Sequence, residues 1–347
     1  MSPRKPIRVA AVQPQLELGA VERNLVRIES LIRDAHREHD PQVIVVPEAM
    51  TSPNVFHEKL RGVARPVDGA PFRLLTRLAR ELDVVVAGGF LAQRGADVYG
   101  TYVLAEPDGR AHLHDKDIPT AWENHYYRGG DDDGRAHCTA LGVDVGLCSG
   151  WEWMRFRTAR RLQGVDLVLG GMCWPSFPDN WGGPLRPWTR REHLVWRQGS
   201  RELPRQMARL VGAPVVHAAH VGPVGSRTPM ASAVPWRTQM LGETQICDAD
   251  GTILARLTLE DGEGHIGATV TPGSVAPHDP LEKRFWIPLV TPATHAAWHV
   301  MNAYGRLDYR RRRARGRHEW QAVPAGDLPD ELGPTTDDQE QHFATTA

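Results

Sequence analysis

Short apolar, β-branched runs alternate with longer amphipathic stretches from Ile7 to about Ala219. IRVAAVQ, VIVVPEAM and VVVAGGF read as strands, and Val21–His39 and Phe72–Leu82 between them read as helices. That rhythm predicts an α/β domain whose sheet is buried on at least one face by crossover helices. The next run, VYGTYVLAEPDGRAHLHDK, breaks at Pro107-Asp108-Gly109 and predicts a hairpin. The pattern resumes with the strand VDVGLC, a helix over about Arg155–Gln163, the strand VDLVLGG, a helix over about Arg190–Leu210, and the strand in APVVHAAHVG. A second hairpin, GETQICDADGTILARL, turns at Asp250-Gly251. Two halves that each hold βα units and a turn-joined strand pair predict a layered sandwich spanning residues 1–272.

Two segments break the rhythm. PSFPDNWGGPLRP, Pro175–Pro187, is too rich in Pro, Gly and Trp for helix or strand, and a loop of that size inside a compact domain is expected to be functional. Beyond Pro272 the alternation stops. Residues 273–325 read as a C-terminal extension that contacts a second copy, with a basic run at Tyr309–Arg317 that favours oligomer contacts or a solvated face over RNA. Residues 326–347 are acidic and polar and read as a disordered tail.

Composition narrows the partners. A 347-residue chain that is 41% hydrophobic and 24% charged can bury a large core, and its formal net charge of -1 gives no basis for nucleic acid or an anionic membrane as partner. A small-molecule ligand fits better. The four cysteines lie far apart, without a C-x-x-C pair or a zinc-type spacing, so a reduced compartment is expected. The amino-terminal apolar run breaks at Gln13-Pro14 and no long apolar segment follows, which predicts a cytoplasmic protein.

Candidate chemistry begins at Cys148, which ends the strand VDVGL and precedes a Ser149-Gly150 turn. A thiol on a strand-to-helix turn stands above the sheet edge, with the following backbone N–H groups placed for an oxyanion. Taken alone it reads rather as a buried core cysteine at a strand end. Glu48 follows VIVVP and is expected at the sheet rim, where α/β proteins bind ligands; alone it reads rather as an N-cap or loop glutamate in water. Lys116 closes the first hairpin and alone reads as a solvated edge lysine.

Together these segments resemble the nitrilase, or carbon–nitrogen hydrolase, superfamily. Its glutamate context is matched by VVPE at Glu48, its hairpin lysine by EPDGRAHLHDK at Lys116, and its cysteine by VGLC at Cys148. A second family glutamate precedes an aromatic pair, matched by WENHYYRGGDD at Glu123. The resemblance spans about residues 7–272 and implies a four-layer α-β-β-α sandwich. It further implies a Cys148 thioester intermediate, Glu48 as general base, Lys116 at the oxyanion with the Ser149 N–H, and Glu123 as orienting group. No metal or organic cofactor is implied, and a homodimer or larger assembly is.

The match has departures. After the cysteine, amide-cleaving members show aromatic-Asp-x-Arg-Phe-Pro and nitrile-cleaving members show Trp-Glu, whereas here Ser149-Gly150-Trp151-Glu152-Trp153 follows. Gly100-Thr101 and His220 also replace residues common in the family. Eleven tryptophans are many for this length, and Trp151, Trp174, Trp181 and Tyr126 are candidate substrate contacts. His112 and His114 alternate on a strand and read as a solvated face rather than a metal pair. The leading reading is a hydrolase of a small amide or N-carbamoyl compound. A nitrilase, an acyltransferase using the same thioester, and a catalytically silent binding module are the alternatives.

Overall fold

The computed structural model describes residues 5–315 and places them in two mixed sheets, one packed on the other, with helices outside. The first sheet contains β1 Ile7–Gln13, β2 Val43–Val45, β3 Arg65–Pro66, β4 Val85–Arg94, β5 Asp97–Ala105, β6 Ala111–Asp115 and β15 Gly264–Val270. Its order is β15-β1-β2-β4-β5-β6, with β3 paired to β4. The second contains β7 Arg135–Cys138, β8 Val143–Ser149, β9 Leu167–Met172, β10 Val215–Ala219, β13 Thr244–Cys247 and β14 Ile253–Leu257, ordered β14-β13-β10-β9-β8-β7. In each sheet three central parallel strands are flanked by antiparallel ones.

Strand pleating divides the core. Val9 and Ala11 of β1, Val43 and Val45 of β2, Val145 and Leu147 of β8, and Leu167 and Leu169 of β9 meet in the layer between the sheets. Their neighbours Ala10, Ile44 and Val168 face the helices instead. The helices α1 Val21–His39 and α2 Ala70–Leu82 cover the first sheet, and α3 Phe156–Arg161 and α4 Arg186–Val211 lie beside the second. Both α1 and α2 end on an aspartate in the left-handed region, Asp40 and Asp83, whose N–H returns to the last helical turn. The expected four-layer α-β-β-α sandwich is the observed fold.

Three elements depart from expectation. The helix predicted over about Arg155–Gln163 is only Phe156–Arg161, ending at Leu162 ahead of Gly164 at φ +82°, and Gly150–Met154 forms a 3-10 turn before it. A long hairpin, β11 Val221–Thr228 with β12 Ala231–Leu241, forms a separate two-stranded sheet. The irregular segment after Trp174 lies along it: the Ser176 N–H donates to Gln239 (2.9 Å) and the Asp179 N–H to Arg237 (3.0 Å).

The third departure follows Pro272, where the chain forms α5 Pro292–Ala314, capped by Thr291 with proline at its first turn. Asn302 Oδ1 accepts from the Ala121 N–H (2.6 Å), and Asp308 bonds His125 (2.8 Å), so α5 packs on its own chain's Ala121–His125 turn. Tyr309 and Arg313 are held to Asp97, so the start of the basic run is pinned within the chain. The predicted tail at 326–347 lies outside the described residues. Among the described residues no helix is long and apolar enough to cross a membrane.

Candidate active site

The carboxyl ends of β2, β8 and β9, the end of the β5–β6 hairpin and the Ala121–His125 turn converge on one buried charge cluster. Lys116 Nζ lies 3.2 Å from Glu48 Oε2 and 2.8 Å from Glu123 Oε2, and its side chain is fully buried. Lys116 is therefore no edge lysine. Asn54 Nδ2 donates to Glu123 Oε1 (2.7 Å), the Thr120 N–H donates to Glu123, and the His220 ring donates to the Glu48 carbonyl (2.7 Å). Burial lowers the His220 pKa to about 4, so its ring is neutral at pH 7.

Electrostatics poise the pair for proton transfer. Burial pushes the Glu48 carboxyl above its ordinary value; Lys116 opposes that shift and Glu123 reinforces it. Burial pulls the Lys116 ammonium down, but Glu123 and Glu48 more than offset this and hold it charged. A basic carboxylate beside a fixed cation can take up a proton while the cation stabilises an oxyanion. The backbone is bent to make this meeting: Ala49, Ala121 and Gly150 all have positive φ, +55°, +47° and +57°.

Cys148 does not join the cluster. Its side chain falls on the helix-facing side of β8, opposite Leu147, in the core that includes Trp153 and Leu162. Its sulfur makes no hydrogen bond among the described residues, and burial, reinforced by Glu152, pushes its thiol well above the ordinary range. Ser149 turns back toward the cluster, and its Oγ donates to Glu48 Oε2 (3.0 Å). The Ser149 N–H, expected at the oxyanion, donates to Glu152 Oε2 instead (2.9 Å). Gly150 comes closest of all: a Cβ built on it would lie 2.2 Å from Lys116 Nζ and 2.6 Å from both Glu48 oxygens.

The cysteine whose backbone is bonded to the cluster is Cys173, just past β9. Its N–H donates to Glu48 Oε1 (3.1 Å), and its sulfur accepts from the Asn54 N–H (3.0 Å). Burial raises this thiol well above its ordinary value, with Glu48 and Glu123 adding to the rise and Lys116 opposing it. In the sequence, Cys173 carries no C-x-x-C or zinc-type spacing and reads most simply as a buried thiol.

A second network braces the turn from beneath. His114 is fully buried rather than on a solvated face, with one ring nitrogen on Asp132 and the other 2.8 Å from Glu152. Burial would depress His114, but these two carboxylates outweigh it and raise its pKa to about 10. Glu152 also accepts from the Asp117 N–H (3.1 Å) and Arg161. Ser149-x-x-Glu152 and Thr120-x-x-Glu123 are both capping boxes, a spacing visible in the sequence that would have flagged both turns.

The candidate substrate contacts separate. Trp151 and Trp181 line an aromatic cavity of about 180 Å³. Trp174 stands behind it, its ring 5.7 Å from Trp151 and 5.4 Å from Trp196. Tyr126 is turned away, its hydroxyl donating to the His57 carbonyl (3.0 Å). The tyrosine at the cluster is Tyr127, whose phenol is buried beside Glu123, Glu48 and Asn54; burial raises its pKa well above the ordinary value.

A family model described as carbon-nitrogen hydrolase matches residues 8–278, a span that includes every residue of the charge cluster. The chain belongs to the carbon–nitrogen hydrolase family. Among solved structures, Nit3 of Saccharomyces cerevisiae, of the nitrilase superfamily, is similar at 20% identity and TM-score 0.58, over 78% of this chain and 92% of that one. An amidase from Nesterenkonia sp. AN1, with acrylamide added at its active-site cysteine, is similar at 16% identity and TM-score 0.58, covering 80% and 96%. A carbon-nitrogen hydrolase from Helicobacter pylori G27 is similar at 16% identity and TM-score 0.57, covering 87% and 94%. No curated protein sequence matches the chain. Likeness at these identities speaks to the fold, and within that fold this carbon–nitrogen hydrolase family member sets Trp151-Glu152 directly after Gly150 rather than after Cys148.

Proposed function

We propose that this protein hydrolyses a small amide or N-carbamoyl compound at a carbon–nitrogen bond, with Cys173 rather than Cys148 as the nucleophile. The observation that carries the reading is the Glu48–Lys116–Glu123 cluster with a thiol residue, Cys173, bonded to Glu48 through its own backbone N–H. The sulfur of Cys173 attacks the carbonyl carbon while Glu48 takes the thiol proton. Lys116 stabilises the oxyanion, and Glu48 returns the proton to the departing amine as the C–N bond breaks. Water, deprotonated by Glu48, then opens the thioester and releases the acid. An unperturbed thiol is only a few per cent ionised at neutral pH, and the raised Cys173 pKa lowers that fraction further, so the neighbouring base is essential.

A second reading, a silent binding module, is favoured by Gly150. A glycine stands where a side chain would project between Lys116 and Glu48, so position 150 supplies no nucleophile and the turn brings only the Ser149 hydroxyl to the charges. Ammonia release from a panel of small amides, N-carbamoyl compounds and nitriles separates the readings. Release from amides or N-carbamoyl compounds but not nitriles is expected. Release from nitriles alone reverses the substrate assignment, transfer of the acyl group to an added amine makes the protein an acyltransferase, and saturable binding without turnover makes it a binding module.

We also propose a homodimer. On α5, Val300, Tyr304 and Leu307 form an exposed apolar row at helical spacing, which supports a contact between copies. Gel filtration at micromolar concentration is expected to give the dimer mass, and a monomer contradicts it.

A further inference from the structure

The aromatic cavity holds a second recognition element. Seven tryptophans and Phe177 line it, contributed by the Trp122 turn, the Trp151 turn, the segment before α4, α4 itself, β12 and α5. Their rings meet mostly edge to face, as at Phe177–Trp196 (4.7 Å) and Trp181–Trp236 (5.5 Å), so the rings that wall the cavity stand at steep angles to one another. One ionisable side chain lines the same cavity. Glu192 of α4 is 4% exposed, and its Oε2 accepts from Thr291 Oγ (3.0 Å). Its other oxygen has no hydrogen-bond partner, and the carboxylate has no ion-pair partner, among the described residues.

A carboxylate left without a cation in an apolar cavity is unfavourable, and the ring faces around it carry negative quadrupole potential. Both features favour the same ligand chemistry. A neutral apolar ligand would strip water from Glu192 and give nothing back, whereas an organic cation meets the carboxylate and the rings together.

We propose that this cavity is a binding site for an alkylammonium group, held by cation–π contact with the tryptophans and by charge with Glu192. Trp122 and Trp151 adjoin Glu123 and Gly150 in the chain, so the two turns that bear on the charge cluster also contribute rings to the cavity. The substrate class is then an amide bearing an alkylammonium group, a step that rests on the proposed hydrolysis. The binding itself does not.

Choline and its uncharged isostere 3,3-dimethyl-1-butanol are the probes, followed by tryptophan fluorescence and titration calorimetry on the full chain. Saturable choline binding, about tenfold or more tighter than the isostere, is expected, with Glu192→Gln bringing the two near parity. Trp188→Ala, at a ring 42% exposed on the cavity's edge, is expected to weaken choline several-fold without loss of fold. Equal or tighter binding of the isostere, no saturable choline binding, or a preference unchanged in Glu192→Gln overturns the proposal. Choline binding in a protein that turns over no amide leaves the cavity assignment standing and contradicts only the hydrolysis.

Discussion

Cys173→Ala is expected to lower kcat/KM toward an amide substrate by on the order of 10⁴-fold or more, the scale seen when a covalent nucleophile is removed. Cys148→Ala is expected to leave turnover almost unchanged and to cost about 1 kcal/mol of stability, as the loss of a small group from a packed core. The contrast follows from position. Cys148 lies on β8 and Cys173 follows the adjacent parallel strand β9, yet one sulfur faces the helices and the other accepts from the Asn54 N–H, on a residue whose own N–H is bonded to Glu48. Steady-state kinetics on the two variants, with thermal melts to confirm folding, checks this.

Glu152→Ala is expected to be the most destabilising single change, by about 3–5 kcal/mol, because it leaves the His114 and Arg161 charges without their buried carboxylate. It also removes the acceptor of the Ser149 N–H and so loosens the Gly150 turn. The pH dependence carries a signature. The folded His114 pKa, about 10, lies above its ordinary 6.5, so its stabilisation is complete below about 6.5 and is lost as pH rises toward 10. For Glu152, burial alone would raise the pKa, but His114 and Arg161 hold it well below 4.5. Its stabilisation is present above that value and is lost as pH falls through the folded value. Urea midpoints measured against pH are expected to decline on the alkaline side in the unsubstituted protein and to lose most of that decline in His114→Gln.

Much of the fold was legible because its cause is local. Short apolar, β-branched runs marked the strands, amphipathic spacing marked α1 and α2, and Asp-Gly turns marked both hairpins. Glu48, Lys116 and Glu123 were legible as segments, and their meeting was not, since strands distant in sequence bring them together. The nucleophile was the hardest to read. Whether Cys148, Ser149 or Gly150 meets the charges depends on the pleat parity of β8 and on where the strand gives way to the turn, and a shift of one residue reverses every side chain.

The Trp151-Glu152 pair, out of place when counted from Cys148 and in place when counted from Gly150, was the sequence's clue. The β11–β12 hairpin was hidden by Pro223, Pro235 and its exposed positions, which lack an apolar alternation. The start of α5 carried a readable signal in Thr291-Pro292, a capping residue followed by a helix-first proline. His114 was misread because its two carboxylate partners come from Asp132 and Glu152, beyond the reach of strand periodicity.

The most direct test is to quench turnover of an amide substrate with acid and map the acyl group by mass spectrometry of the peptides. An acyl adduct on Cys173, retained in Cys148→Ala and absent in Cys173→Ala, is predicted. An adduct on Cys148 that persists in Cys173→Ala contradicts it.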